Sequence, residues 1–299
     1  MSEQDNRKGA LIMIAVTAIF AAQDGISRHL AESYNTYMVV MIRFWFFAVF
    51  AIWMSSRTKG GLARAIRAHH PYLQLFRSAL LVLEIYVMIA AFVALGLIET
   101  HAIFIAYPLL VAALSGPVLG EKVGWRRWTA IGIGFIGVLV ILKPGFGVFS
   151  PASILAVTAA LMFSLYALLT RKVADKDSSA TSMFWTGTVG AVISTLVGMW
   201  FWQPMVGGDW VWMAILCLTA VAGHGLMIKA YEIAEASAVQ PFSYMQLVFG
   251  AFVGMTFFGD ILRPNVAVGA VIVVGAGLFT LWRQRQRKVK VVPRPAIRP

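Results

Sequence analysis

Ten apolar runs follow one another along the chain, at about 9–29, 35–56, 73–95, 100–119, 126–142, 151–171, 180–202, 210–231, 237–258 and 264–282, parted by short polar segments. Coiled as α-helix, roughly 20 apolar residues cross the hydrocarbon core of a bilayer. The pattern predicts an all-α polytopic membrane protein with ten transmembrane helices. The leading MSEQDNRKG is short and polar, and no small-residue cleavage pattern follows it, so the first run reads as a retained span. The longest connection, SSRTKGGLARAIRAHHPY, reads either as a brief interfacial helix carrying Arg64 and Arg67 or as a solvated loop.

Composition agrees. Hydrophobic residues make up 60% of the 299 and charged residues only 13%, where a soluble domain carries about a quarter. The net charge of +12 would suit a nucleic-acid surface, but its placement points elsewhere. With the N-terminus inside, the inner connections collect most of the Lys and Arg, while the outer ones hold only Arg28, Lys143 and Arg263. That is the positive-inside pattern, with both termini cytoplasmic and no nucleic-acid partner. The basic tail, 286–299, is placed to touch anionic lipid at about 1 kcal/mol per charge. The single cysteine, Cys217, lies mid-run and excludes an internal disulfide or a Cys-cluster metal site. His101 and His224 have no third ligand, so neither a metal nor any cofactor is expected.

Tyr107 to Glu121, YPLLVAALSGPVLGE, and Gln246 to Asp260, QLVFGAFVGMTFFGD, both end in Gly-acid. At their offset of 139 residues Ala112 falls on Ala251 and Gly120 on Gly259. Each is followed by a polar turn and a Gly-rich last run, where small residues let helix backbones approach. Halves of five spans, 1–148 and 149–285, must face the membrane in opposite senses. Inverted repeats around a central cavity are the architecture of alternating-access carriers. Pro108 and Pro117 each remove a backbone donor and are expected to kink the fourth span, which is tolerated beside a cavity.

The stretches GLIETHAIFIAYPLLVAALSGPVLGEKVGWRRWTAIGIGFIGVLVILKPG and AYEIAEASAVQPFSYMQLVFGAFVGMTFFGDILRP resemble the two repeats of the drug/metabolite transporter superfamily, EamA type. Asp260 stands where the family commonly has Glu. Within the superfamily the chain looks closest to ten-span bacterial exporters of amino acids, including aromatic ones. The resemblance implies that spans 3–4 and 8–9 form moving hairpins about the cavity. Glu121 on the inner side and Asp260 on the outer side read as structural or gating groups that hold loop backbone or a basic neighbour.

Polar groups at membrane depth mark the candidate cavity, because each is costly unless it faces a partner or a water-filled path. Glu84 is open to three roles: binding an amine, proton coupling, or an ion pair with Arg43, while Arg77 lies on its own helix face two turns away. Asp24, beside Gln23, reads either as lining an outer vestibule or, the favoured reading, as a local pair with Arg28 four residues on. His224, between glycines, hydrogen-bonds either substrate or a neighbouring helix. Tyr86, Tyr107, Tyr166 and Tyr244 lie within runs, where a hydroxyl needs a partner. With Trp185 and Gln246 they predict an aromatic cavity for a zwitterion with an apolar side chain, or for an organic cation. No HExxH, GxSxG or Gly-rich phosphate loop supports an enzyme, and no span shows a channel's ring-forming polar stripe. The expected function is export of small metabolites, foremost amino acids, by a monomer. The alternative is a carrier for other metabolites or cationic drugs, by efflux or uptake.

Overall fold

In a bilayer every backbone N–H and C=O must be satisfied within its own segment, so apolar runs of this length fold as helices. The computed structural model describes residues 6–58, 60–120, 124–142, 151–174, 176–233 and 240–289. Its helices are α1 (Asn6–Ser33), α2 (Thr36–Ser56), α3 (Gly61–Ile66), α4 (Pro71–Leu95), α5 (Leu97–Phe104), α6 (Tyr107–Leu119), α7 (Trp125–Leu142), α8 (Pro151–Val173), α9 (Ser179–Gly198), α10 (Asp209–Ile233), α11 (Met245–Phe258) and α12 (Pro264–Val289). Among the described residues seven stretches are long and apolar enough to cross a membrane, and three shorter apolar helices, Trp128–Leu142, Phe242–Phe258 and Pro264–Phe279, accompany them. The connection after α2 contains the short helix α3 and not an unbroken loop.

Side chains start the helices where the chain turns back. Asn35 accepts from the Met38 N–H at 2.8 Å at the start of α2, and Ser178 accepts from the Thr181 N–H at 3.1 Å at the start of α9. Each satisfies a backbone donor the first turn leaves open. The fourth run departs from the simple kink expected of it. It breaks at Ile105 and Ala106 into α5 and α6, with Pro108 in the first turn of α6 and Pro117 inside that helix. The missing N–H of Pro108 is harmless in a first turn, which lacks a partner anyway. The ninth run opens in a similar way, with a 3-10 turn at Gln240–Tyr244 before α11. Both α6 and α11 end on a left-handed glycine, Gly120 and Gly259.

The helices pack in pairs: α1 along α10, α4 along α8, α2 along α9 and α7 along α12. One end of the bundle carries the α2–α4 and α8–α9 connections and is here called the basic end. The far end carries Tyr34–Asn35, Gly96 and the segments after α9 and α11. Near the basic end Arg77, only 1% exposed, binds three helices together. Its Nη2 donates to Gln74 Oε1, the Ser182 carbonyl and Thr186 Oγ1 at 2.8–2.9 Å, and its Nη1 to Thr170 Oγ1 at 3.1 Å. The guanidinium thus faces α8 and α9 and makes no contact with Glu84, although spacing placed both on one face of α4.

Candidate functional site

Between α1, α2, α4, α5, α6, α8, α10 and α11 lies a cavity of about 840 Å³, its open mouth included. Phe20, Met88, Phe92, Phe104, Tyr107 and Phe163 supply apolar and aromatic wall. Phe104, Tyr107 and Phe163 form a ring cluster with centroids 4.9–5.3 Å apart.

Among the polar groups in that wall are Arg43, Glu84 and Asp24, with His101 behind Asp24. Arg43 of α2 is 6% exposed and lines the cavity. Among the described residues nothing hydrogen-bonds or ion-pairs its guanidinium. The nearest carboxylates, Asp24 and Glu84, act on it only at longer range. Glu84 of α4 is 4% exposed and also makes no direct bond there, so the expected Glu84–Arg43 pair is not formed in this conformation. Asp24 of α1 does not bond Arg28. Its Oδ2 accepts from Gln246 Nε2 at 3.2 Å and lies 3.0 Å from His101 Nε2. His101, 2% exposed, stacks on Phe92 and sets its Nδ1 2.8 Å from the Leu97 carbonyl.

The far end above this cavity is closed. Arg28 Nη1 donates to both oxygens of Asp260 at 2.9 and 3.1 Å, and the guanidinium lies 4.3 Å over the Phe258 ring. Asp260 Oδ2 also accepts from the Leu97 N–H at 2.6 Å, so it caps α5 as well. Gly96, at φ +84°, is required here, since a Cβ would lie 2.8 Å from that oxygen. Arg263 pairs with Glu99 at 3.1 Å, and the Tyr34 hydroxyl donates to Asp209 at 2.6 Å. Toward the basic end a second chamber adjoins the cavity at Arg43, Leu81, Ile85, His224 and Met227. Its rim includes Tyr166, Thr170 and Asp177.

Of the residues singled out from sequence, Glu84, Tyr107, His224 and Gln246 line the cavity, and Tyr166 lines the basic-end chamber beneath Arg77, 5.3 Å from its ring centre. Tyr86, Trp185 and Tyr244 do not. Tyr86 turns to Tyr37, 5.6 Å away. Trp185 donates to the Ile66 carbonyl at 3.3 Å and so ties α3 to α9. Tyr244 is packed in the core with Val273 and Ala276. Glu121 and the tail 290–299 lie outside the described residues. Arg43 and Asp24 line the cavity and His101 joins them through Asp24, although the sequence favoured ion pairs for the first two and gave His101 no role; their shared signal was a charge or imidazole within an apolar run. No group of three metal-ligating side chains comes together among the described residues.

A multi-pass helical bundle with a charge-bearing cavity at its middle, shut toward one end and adjoining a chamber toward the other, is a membrane transporter. The chain belongs to the EamA-like transporter family, whose model matches residues 7–143 and again 150–282. It is similar to the S-adenosylmethionine uptake transporter of Rickettsia prowazekii (strain Madrid E), 24% identical over 270 residues and 88% of each chain. It is also similar to the riboflavin transporter of Vibrio cholerae serotype O1, 27% identical over 286 residues, 94% of this chain and 95% of that one. A solved structure 18% identical superposes with a TM-score of 0.60 over 95% of this chain and 99% of its own, a likeness of fold. The chain is a transporter and not an enzyme. Neither named relative is an amino-acid exporter; the resemblance holds at the level of the family.

Proposed function

We propose that the protein is an alternating-access carrier of a zwitterionic small metabolite that bears a ring, working in a bacterial inner membrane with both termini cytoplasmic. The observation that carries this reading is Arg43, a buried guanidinium in the cavity wall with no partner among the described residues. A buried unpaired cation is costly, and a substrate carboxylate would relieve that cost through a charge-assisted pair. Glu84, in the same wall, would take the ammonium. The ring would lie on Phe104, Tyr107 and Phe163.

Ten spans in two inverted halves, 1–148 and 149–285, are part of the proposal. Two successive matches of one family model support it. So does the packing: exchanging the halves turns the α1–α10 pair into α8–α4, and leaves α2–α9 and α7–α12 as pairs of counterparts. S-adenosylmethionine, named for relatives, carries an amino-acid group together with a ring system, and the word uptake in that name supports inward movement. A plain aromatic amino acid is the second reading, since the same two charges would hold it.

Proteoliposomes given labelled S-adenosylmethionine, riboflavin, phenylalanine and threonine test both. Saturable uptake of S-adenosylmethionine that Arg43→Gln abolishes is the expected result. Transport of phenylalanine alone would favour the second reading. Transport of riboflavin alone, untouched by Arg43→Gln, would sink the zwitterion.

A further inference from the structure

We propose that Asp24 and His101 form the carrier's coupling-ion site: the pair binds one proton, and the loaded pair holds the far end of the cavity shut. The inference rests on the carrier reading above and goes beyond it. A neutral imidazole offers one N–H and one lone pair. His101 sets both ring nitrogens against oxygens, Nδ1 at 2.8 Å from the Leu97 carbonyl and Nε2 at 3.0 Å from Asp24 Oδ2. The carbonyl only accepts, so Nδ1 carries hydrogen. The second contact then needs a hydrogen as well, either on Nε2 facing a carboxylate or on the Asp24 carboxyl facing the Nε2 lone pair. Either way the pair holds two hydrogens, where a neutral histidine and an ionised aspartate together hold one. Remove that extra proton and one of the two contacts sets a lone pair against an oxygen.

The position of the pair gives the proton its consequence. Asp24 is on α1, His101 on α5, and Gln246 of α11 donates to the same Asp24 oxygen. One oxygen thus joins three elements, directly beneath the Arg28–Asp260 closure that joins α1 to the segment after α11 and caps α5. The other titratable groups around the pair are Arg43 on α2, Glu84 on α4, Tyr107 on α6 and His224 on α10, all in the cavity wall. Arg28, Glu99 and Asp260 are already occupied in the closing pairs. With the proton on, the charges of Arg43, Glu84, Asp24 and His101 balance; without it the cavity carries one uncompensated negative charge. Asp24 faces the cavity that adjoins the basic-end chamber. A proton taken up at the open far end, which then closes behind the substrate, leaves toward the basic end. Because the proton sits on groups other than Arg43 and Glu84, proton and substrate are bound together, as symport requires.

Two measurements on the full chain test this without any substrate, so their failure is distinct from failure of the carrier reading. The first is ¹⁵N-histidine NMR of the protein in nanodiscs, with His101→Gln assigning the signal. Two hydrogens shared by the pair at neutral pH, falling to one on alkalinisation, are expected; an imidazole shift that stays constant with pH, in the single-N–H position, overturns the site. The second is the distance between spin labels at Ser33→Cys and Leu262→Cys in a Cys217→Ser background. A longer far-end distance should gain on the shorter by about tenfold per pH unit through the titration, the slope one linked proton imposes. Asp24→Asn, whose amide donates to a neutral His101, should keep the short distance at every pH. A wild-type distance that ignores pH, or an Asp24→Asn protein that opens as the wild type does, overturns the linkage.

Discussion

Arg43 and Arg77 are both buried, yet Arg77 is held by four partners while Arg43 has none among the described residues. The difference predicts opposite phenotypes. Arg77→Met strips charge-assisted bonds worth about 1.5–3 kcal/mol each and leaves Gln74 Oε1 without its donor. The protein should lose roughly 3 kcal/mol or more, seen as a lower melting temperature in detergent. Arg43→Gln removes an unpaired buried charge, so melting should hold or rise while substrate affinity falls by at least about tenfold, the worth of one lost charge-assisted bond; calorimetric titration with the transported compound reads it. Asp177, between α8 and α9, gives a pH dependence. Burial pushes its carboxyl up, but the His69 N–H at 2.6 Å, the Gln74 amide at 3.0 Å and the His70 N–H together hold it below the usual carboxylate range. Its contribution is therefore complete above the ordinary aspartate pKa, near 4, and is lost as pH falls through the lowered value. Melting curves of Asp177→Asn should lack that part of the acid limb. At this scale the sequence marked which charges are buried but not whom they meet. The i,i+4 spacing of Asp24 and Arg28 suggested a local pair, yet Arg28 instead takes Glu32 and an aspartate 232 positions away.

Element positions were far more legible than partners, because an apolar run about one bilayer long has helix as its answer whatever surrounds it. What stayed hidden was the break at Ile105–Ala106. Pro108 announces a disturbance, but whether the helix bends or stops depends on what caps the exposed groups, here the Ala106 carbonyl reaching the Leu109 N–H at 2.9 Å. The glycines of the last run in each half were legible as close-approach sites, and α7 and α12 use them. A Cβ on Gly269 would lie 2.6 Å from the Gly137 carbonyl, and one on Gly137 2.9 Å from the Gly269 carbonyl. Backbone cannot swing aside as a side chain can, so Gly269→Val should force the two helices apart. Overpacking of this kind costs about 1–3 kcal/mol. Since the pair lies away from the cavity, the variant should fold in lower yield and melt earlier, with the folded fraction keeping its substrate preference; size-exclusion yield and competition uptake check the two halves of that statement.

The alternating access proposed for this carrier belongs to the whole molecule, and it makes a demand that no single contact meets. Arg28–Asp260, Arg263–Glu99 and Tyr34–Asp209 close one end together, so the carrier must part α1 from α11 to admit substrate there. Gly25 of α1 and Val253 of α11 meet just below that closure, with a Cβ on Gly25 lying 2.7 Å from Val253 Cγ1. Cysteines at the two positions come within the separation a disulfide spans, and Cys217→Ser removes the native thiol. Oxidised Gly25→Cys/Val253→Cys protein should be locked with the far end shut. It should still bind substrate in detergent, where the basic-end chamber remains in reach, but carry none across a liposome, and reduction should restore transport. The crossing step is what the bond removes, so loss of binding along with transport would point instead to damage of the cavity wall. Full transport through a quantitatively linked protein would mean that α1 and α11 do not separate, and that the closed end seen here is a fixed wall rather than a gate.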